Sequence, residues 1–493
     1  MSTAEHDSHQ RLSEIPIRVQ EAGRRARVQT PRSGWAYRIE QWVAPRRDWL
    51  NWIHVAMFIG FAVLTIVPLF LPVPISRSQH FWNNFSLFAN FVIWGLWFPL
   101  VFVSVIFTGR SWCGVLCPLG AASEWANRVG LKRPVPRWVR WRGTPIVSFV
   151  IITVLAQTVG ARDYATGIAE VFGLTFAAAA LLGLVYGVGR STRAWCRHMC
   201  PIGLMLGVFS RIGAVQFRPK RPKPGGDAYT EKGICPTNID INRKRESRHC
   251  IECFRCVNPD ARGGLRLAFR RPGREVAQIR DHNPNAPEIW FLFLATGLAL
   301  GGFLWIVLPQ YNMLREMIGT WAINHGWYWI GNSGPSWLMV VHPAARETFV
   351  WLDFFMICGF MLACAAVLTL ALSVTTAISS WLAGRLGGDL TWRERFVELA
   401  YAYMPVAMIS LVIGLGGKLF SALAEVGVSS TMVESVKIAL FALSVVWSLA
   451  LGRRLLARQG LSRLRSLAAE LPTVAGIGLI GLAWSPALFG ITF

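Results

Sequence analysis

The 493-residue chain is 53% hydrophobic and 16% charged, with a mean hydropathy of +0.40, which excludes an ordinary soluble protein of this length and predicts an integral membrane protein. The net charge of +23 raises nucleic acid as a partner, but the Lys and Arg lie between apolar stretches, where membrane topology accounts for them. No nucleic acid is therefore expected.

The first fifty residues hold nine Arg against six acids and no short apolar core with a cleavage site. They are expected to stay cytoplasmic, without a removed signal peptide. Nine stretches then read as long enough to cross a hydrocarbon core of ~30 Å: 51–72, 85–108, 144–160, 167–189, 288–309, 348–372, 396–416, 433–452 and 470–491, the third being the shortest. Basic residues concentrate in alternate connections. Arg128, Lys132, Arg133, Arg137, Arg140 and Arg142 stand against Glu124, whereas 73–84 and 161–166 hold only Arg77 and Arg162. Arg385, Arg393 and Arg395, and later Arg453, Arg454, Arg458, Arg463 and Arg465, fall on the same side, expected to be the cytoplasm. An odd number of spans then leaves Phe493 outside.

Eight of the ten cysteines lie between Cys113 and Cys256. Thiols facing the cytoplasm stay reduced, so paired motifs there point to metal or redox chemistry rather than to disulfides. Two successive hairpins end alike, in GRSWCGVLCPLG from Gly109 and GRSTRAWCRHMCPIG from Gly189. Each supplies two thiols, and side by side they supply Cys113, Cys117, Cys196 and Cys200. Pro118 and Pro201 push the preceding cysteine out of the α region and can start a helix at its first position. Helices over 119–129 and 202–212 are expected at the membrane interface.

Cys250, Cys253 and Cys256 follow the C-x2-C-x2-C run of a ferredoxin loop, and the remote Cys235-Pro236 fits the fourth corner of a [4Fe-4S] cube. Zinc is the competing metal, but a third cysteine at the same short interval has no task in a site built from two pairs. Eight thiols thus predict two [4Fe-4S] clusters, with all eight cysteines as cofactor and metal ligands. No catalytic residue is assigned. Interleaving, in which a Cys-Pro cysteine serves the other cube, stays open.

These hairpins and the cysteine segment resemble the polyferredoxin membrane proteins of the NapH, NosR and CcoG (RdxA) type over about residues 51–275. The resemblance implies a bacterial inner-membrane iron–sulfur carrier moving electrons between the quinone pool or a cytoplasmic donor and a respiratory, periplasmic or assembly partner. Seven cysteines match motif positions, and Cys235 matches more loosely. The chain departs from the pattern after Cys256, where Asp260 stands in place of a fourth cysteine in the run and follows Pro259. The resemblance assigns no part to the last four spans, so a metallocentre assembly or metal-reductase factor, and a transporter regulated by clusters, remain alternatives.

The expected architecture is an all-α polytopic membrane protein of about nine helices with a small cytoplasmic ferredoxin-like segment. Its parts are a basic N-terminal segment over 1–50, a double-hairpin core over 51–213, the iron–sulfur segment over 214–287 and a C-terminal membrane region over 288–493. From Arg190 to Asp281 there are twenty Lys or Arg against eight acids. Retention by anionic headgroups accounts for them generally, and Arg110, Arg190, Arg193 and Arg197 are placed to sit near a cluster. The stretch from Phe217 reads as an exposed linker. The outside loop 310–347 carries Trp321, Trp327, Tyr328, Trp329 and Trp337 with His325 and His342. It reads as an aromatic belt ahead of a quinone or haem site. Cys358 and Cys364 read as small apolar residues of span six.

Overall fold

The computed structural model describes residues 34–72, 79–189, 191–226 and 228–489. Arg77, Arg190, Phe493 and most of the N-terminal segment lie outside them. Among the described residues eight helices are long and apolar enough to cross a membrane: Trp49–Phe70, Phe85–Thr108, Ala165–Val185, Ala286–Val307, Trp351–Arg385, Trp392–Leu415, Ser430–Arg458 and Arg463–Pro486. The chain is a multi-pass membrane protein.

The third expected stretch forms a shorter apolar helix of 15 residues, Thr144–Thr158. Arg142 and Gly143 precede it, and Gly160, at φ +63°, closes the turn that follows. That leaves it short of the ~20 residues a span usually takes. It nevertheless connects the two ends of the bundle. Val340 N donates to Thr158 O at one end, while Leu131 and Arg133 amides donate to Leu184 and Val185 carbonyls at the other.

Two helices begin at the Cys-Pro pairs, α1 (Pro118–Val129) and α2 (Pro201–Phe209). The preceding Cys117 and Cys200 are extended, at φ −72°, ψ 115° and φ −64°, ψ 116°. This is the geometry predicted from the proline. Most residues of α2 are buried against the rest of the chain.

The C-terminal region is a tight bundle built on α3 (Ala286–Val307), α4 (Trp351–Arg385) and α5 (Trp392–Leu415). Gly297 and Gly301, four apart on one face of α3, let its backbone lie against α4. A Cβ on either would come within 2.8 Å of the Cα of Ala365 or Met361. Cys364 packs into the same contact, half-buried, as expected of a small apolar residue.

Between the membrane parts, β1 (Val215–Pro219) pairs antiparallel with β2 (Leu265–Phe269). The stretch read as a linker from Phe217 therefore starts as a strand with Phe217 buried, and its longest exposed run is Arg221–Gly226. Phe217, Ile239, Cys250, Val257, Leu265 and Leu267 form a small core. The N-terminal segment is not merely a polar tail, because Trp35–Val43 is a helix. Its buried Glu40 accepts from the Leu267 amide, and Arg47 donates to the carbonyls of Arg255 and Val257.

At the end away from the clustered cysteines, residues 310–347 are more than a loop, since Pro309–Asn324 is helical. Trp321, Trp327, Tyr328, Trp329 and Trp337 are all exposed, the pattern of an interfacial aromatic belt. Both imidazoles there have protein partners. His325 Nδ1 lies 2.7 Å from the Trp321 carbonyl, and His342 stacks on Tyr164 at 4.0 Å with Nε2 3.1 Å from the Thr166 hydroxyl.

Candidate metal centre

All eight predicted ligands come to one end of the bundle, in two sets of four. Cys113 sits in the helical turn Trp112–Leu116, whose wide bond from Cys117 N to Trp112 O spans five residues. Cys196 lies in the turn Ala194–His198. Burial pushes the Cys117 thiol up to about 11, with Cys113 adding to it. Cys200 is pushed up to about 12 by burial, Cys117 and Cys113. Cys196 rises well above its ordinary value through burial, Cys200, Cys117 and Cys113. Cys117, Cys196 and Cys200 are thus each influenced by the thiol of Cys113, across the two hairpins.

Each Cys-Pro cysteine also faces a helix start. The Gly203 amide donates to Cys200 Sγ at 3.1 Å, and the Leu119 and Gly120 amides face Cys117. Those donors favour thiolate over thiol.

The second set is Cys235, Cys250, Cys253 and Cys256, which line one small cavity. Cys256 is pushed well up by burial, Cys250, Cys253 and Cys235, and Cys250 to about 12 by burial, with Glu252 and Cys235 adding. Cys235 therefore groups with the Cys250 run. Glu252 and Phe254 have φ of 53° and 58°, left-handed values uncommon for side chains of this size. They wind the loop so that the Glu252 and Arg255 amides face the sulfurs of Cys250 and Cys253.

The two sets abut. A Cβ on Gly114 would lie 2.1 Å from Ile251 O and 2.8 Å from Cys253 N, so the loops of Cys113 and Cys253 touch through backbone. Arg193, fully buried, stands beside Cys196 on one side and Cys253 on the other. It donates to the Cys113 carbonyl at 2.8 Å and to Glu124 at 3.0 Å. Glu124 also binds Arg128, at 2.9 Å, and Arg255. Burial would raise its carboxyl, but Arg193 and Arg255 hold it down to about 2. Of the other predicted arginines, Arg110 donates to Cys113 Sγ at 3.9 Å and Arg197 faces Cys235.

Sequence reasoning missed the acids that hold this arrangement. Glu124 was visible only as a lone acid in a basic stretch. Arg211, wholly buried, binds Glu288 at 2.7 Å, Glu246 at 2.7 Å and Glu275 at 3.2 Å, and its guanidinium carbon lies 5.5 Å from the Tyr401 ring centre. It joins α2, the cysteine segment, α3 and α5. His54 lies with Nε2 3.2 Å from the Gly114 carbonyl.

Among the described residues no three Cys, His, Asp or Glu side chains gather as ligands of a single metal ion. The donor chemistry fits the larger core of an iron–sulfur cluster. Four thiols per set, backbone amides aimed at the sulfurs and a buried arginine between the sets suit a group that takes four thiolates and carries net negative charge.

The family described as a 4Fe-4S binding domain matches residues 90–136 and 171–224, which contain both CxxxCP motifs. An uncharacterized protein of Methanocaldococcus jannaschii is 26% identical over 174 residues, 34% of this chain and 67% of its own length. Protein NirI of Paracoccus denitrificans is 27% identical over 213 residues, 39% of this chain but only 30% of NirI. The ferredoxin-type protein NapH of Haemophilus influenzae is 22% identical over 249 residues, 44% of this chain and 82% of NapH. No solved structure matches the chain.

Proposed function

We propose, for a chain of the ferredoxin-type membrane iron–sulfur family, that it passes electrons between the quinone pool or a cytoplasmic donor and a respiratory or periplasmic redox partner. One observation carries this reading: two four-thiol sets in backbone contact at Gly114 and sharing Arg193. Sites so close suit transfer from one centre to the next without a moving carrier.

In this reading Cys113, Cys117, Cys196 and Cys200 hold one [4Fe-4S] cluster, and Cys235, Cys250, Cys253 and Cys256 hold the other. Bound there, each cluster supplies a one-electron couple. The chain does the rest. Helix starts at Pro118 and Pro201 favour the thiolates, Arg193 and Arg110 offset negative charge, and Ile251 with Phe217 shields the sulfurs from water. The basic connections support a cytoplasmic position for the thiols in a bacterial inner membrane. Residues 51–213 and 214–287 form the electron path, and 288–493 the membrane body that supports it.

The test is iron, sulfide, zinc and haem content of anaerobically purified protein, with optical and EPR spectra. About eight irons per chain are expected, four for each set of four cysteines. A colourless preparation replete in zinc would overturn the reading.

A further inference from the structure

Beside the membrane-side thiols lies a cavity of about 430 Å³, in the size range of small-molecule sites, ~300–1,000 Å³. Cys196 and Cys200 line it, and Cys113 and Cys117 do not, so it extends to one side of that set. Five arginines line it, Arg110, Arg140, Arg142, Arg197 and Arg248. Only two carboxylates line it, Glu246 and Glu288; both are bonded to Arg211 and also pair with Arg248, at 3.5 and 3.4 Å, which leaves Arg110, Arg140, Arg142 and Arg197 without a carboxylate partner among the described residues.

A cluster on Cys196 and Cys200 would offset Arg110 and Arg197, whereas Arg140 and Arg142, at the exposed rim, repel one another unless a second anion joins them. Some polar atoms of the lining also lack any protein partner. Arg110 is 2% exposed and its Nε is unpaired, and His198 is 7% exposed with Nε2 unpaired. A buried Nη1 of Arg197 is unpaired as well. Leaving such donors unmet costs about 1–3 kcal/mol each, more when charged. At the rim, Arg140, Trp141 and Arg142 are exposed, just before the helix Thr144–Thr158. Arg140 and Arg197 also lie 5.3 and 6.0 Å from the Tyr229 ring centre.

We propose that this cavity binds a phosphate ester, its phosphate held by the arginine forks and its organic part by Tyr229, Trp141 and Ile146. Guanidinium pairs with phosphate bidentately, which suits this wall better than lysine would. The rim stands at the start of an apolar helix, so the ester can come from a soluble cofactor or from an anionic lipid headgroup.

Two arms separate these sources. The iron-loaded protein in phosphatidylcholine nanodiscs is titrated calorimetrically with flavin mononucleotide and with pyrophosphate. In parallel, protein from mixed phosphatidylcholine and phosphatidylglycerol nanodiscs is examined by native mass spectrometry for retained lipid. Arg140→Gln/Arg142→Gln, at exposed positions that leave the fold intact, should weaken binding at least tenfold in whichever arm shows it. Arg137→Gln, exposed and away from the cavity, should change neither.

Saturable binding of flavin mononucleotide that the double variant weakens supports a soluble ester, and binding of pyrophosphate alone, an anhydride with no organic part, overturns it. Selective phosphatidylglycerol retention, lost in the double variant, supports a headgroup. Absence of binding in both arms, or binding that the double variant leaves unchanged, overturns the proposal. Binding is read as heat and mass, so its failure does not touch the electron-transfer reading, which the iron content tests.

Discussion

Arg193 and Glu124 form an ion pair at 3.0 Å with both side chains shut off from solvent, and they join α1 to the second cysteine turn. The pair lies 69 residues apart in sequence and stands where the two thiol sets meet. Its effect is to hold one positive charge beside Cys196 and Cys253 without leaving that charge uncompensated. Breaking one half of such a pair costs about 3–5 kcal/mol.

Glu124→Gln should lower stability by about that amount and free positive charge toward both sets. The midpoint potentials of both iron–sulfur signals should rise in a redox titration followed by EPR. Unchanged potentials would show that Arg193 is screened from the clusters.

Gly114→Ala should drive the two loops apart, because the added Cβ would sit 2.1 Å from Ile251 O. Iron and sulfide per chain should fall well below wild type. Gly263→Ala, in the cysteine segment, has open space at its Cβ and should leave both unchanged.

The sharing of one cluster by both CxxxCP hairpins has a spectroscopic test. Cys113→Ser and Cys196→Ser should abolish the same EPR signal, and Cys253→Ser a different one. If Cys113→Ser spares the signal that Cys196→Ser removes, ligation is interleaved.

Acid should loosen the junction around Arg211. Burial would raise the Glu275 carboxyl, yet Arg270 and Arg211 hold it down to about 2 from an ordinary 4.5. A carboxylate with a depressed folded value adds stability that is full above ~4.5, declines as pH falls below it and is gone near 2. Thermal unfolding in nanodiscs should show this decline between pH 4.5 and 2. Glu275→Gln should be less stable at pH 7 and show a flatter slope over that window.

Topology is tested by single cysteines placed at Gly225 and Gly331. An impermeant maleimide on spheroplasts should label Gly331→Cys and miss Gly225→Cys. Labelling of both on one side would mean that α3 does not cross.

Much of this organisation is legible in the sequence, for reasons that differ by residue. The long apolar runs predict the helices because length against bilayer thickness is a one-dimensional test. Thr144–Thr158, the shortest stretch read as a span, is the one where that test is weakest, and its helix is only 15 residues long. The cysteines are legible through short spacing and through the proline that sets the backbone after them. Glu124, Glu246, Glu275 and Glu288 are not, since a lone acid in a basic stretch looks solvated until folding sets a distant arginine against it. Twenty cations in Arg190–Asp281 read as topology signals, and the structure turns Arg193, Arg211 and Arg270 into internal joints.

Arg211 imposes an order on the chain's maturation. It emerges from the ribosome ahead of all three of its carboxylate partners, Glu246, Glu275 and Glu288. Its aromatic neighbour Tyr401 is made later still. Until Glu288 enters with α3, the cysteine segment is held to the hairpin core by only part of that junction, and its loops have their greatest freedom to open. The C-terminal helices therefore complete this junction last, closing it over a cysteine segment that is already made.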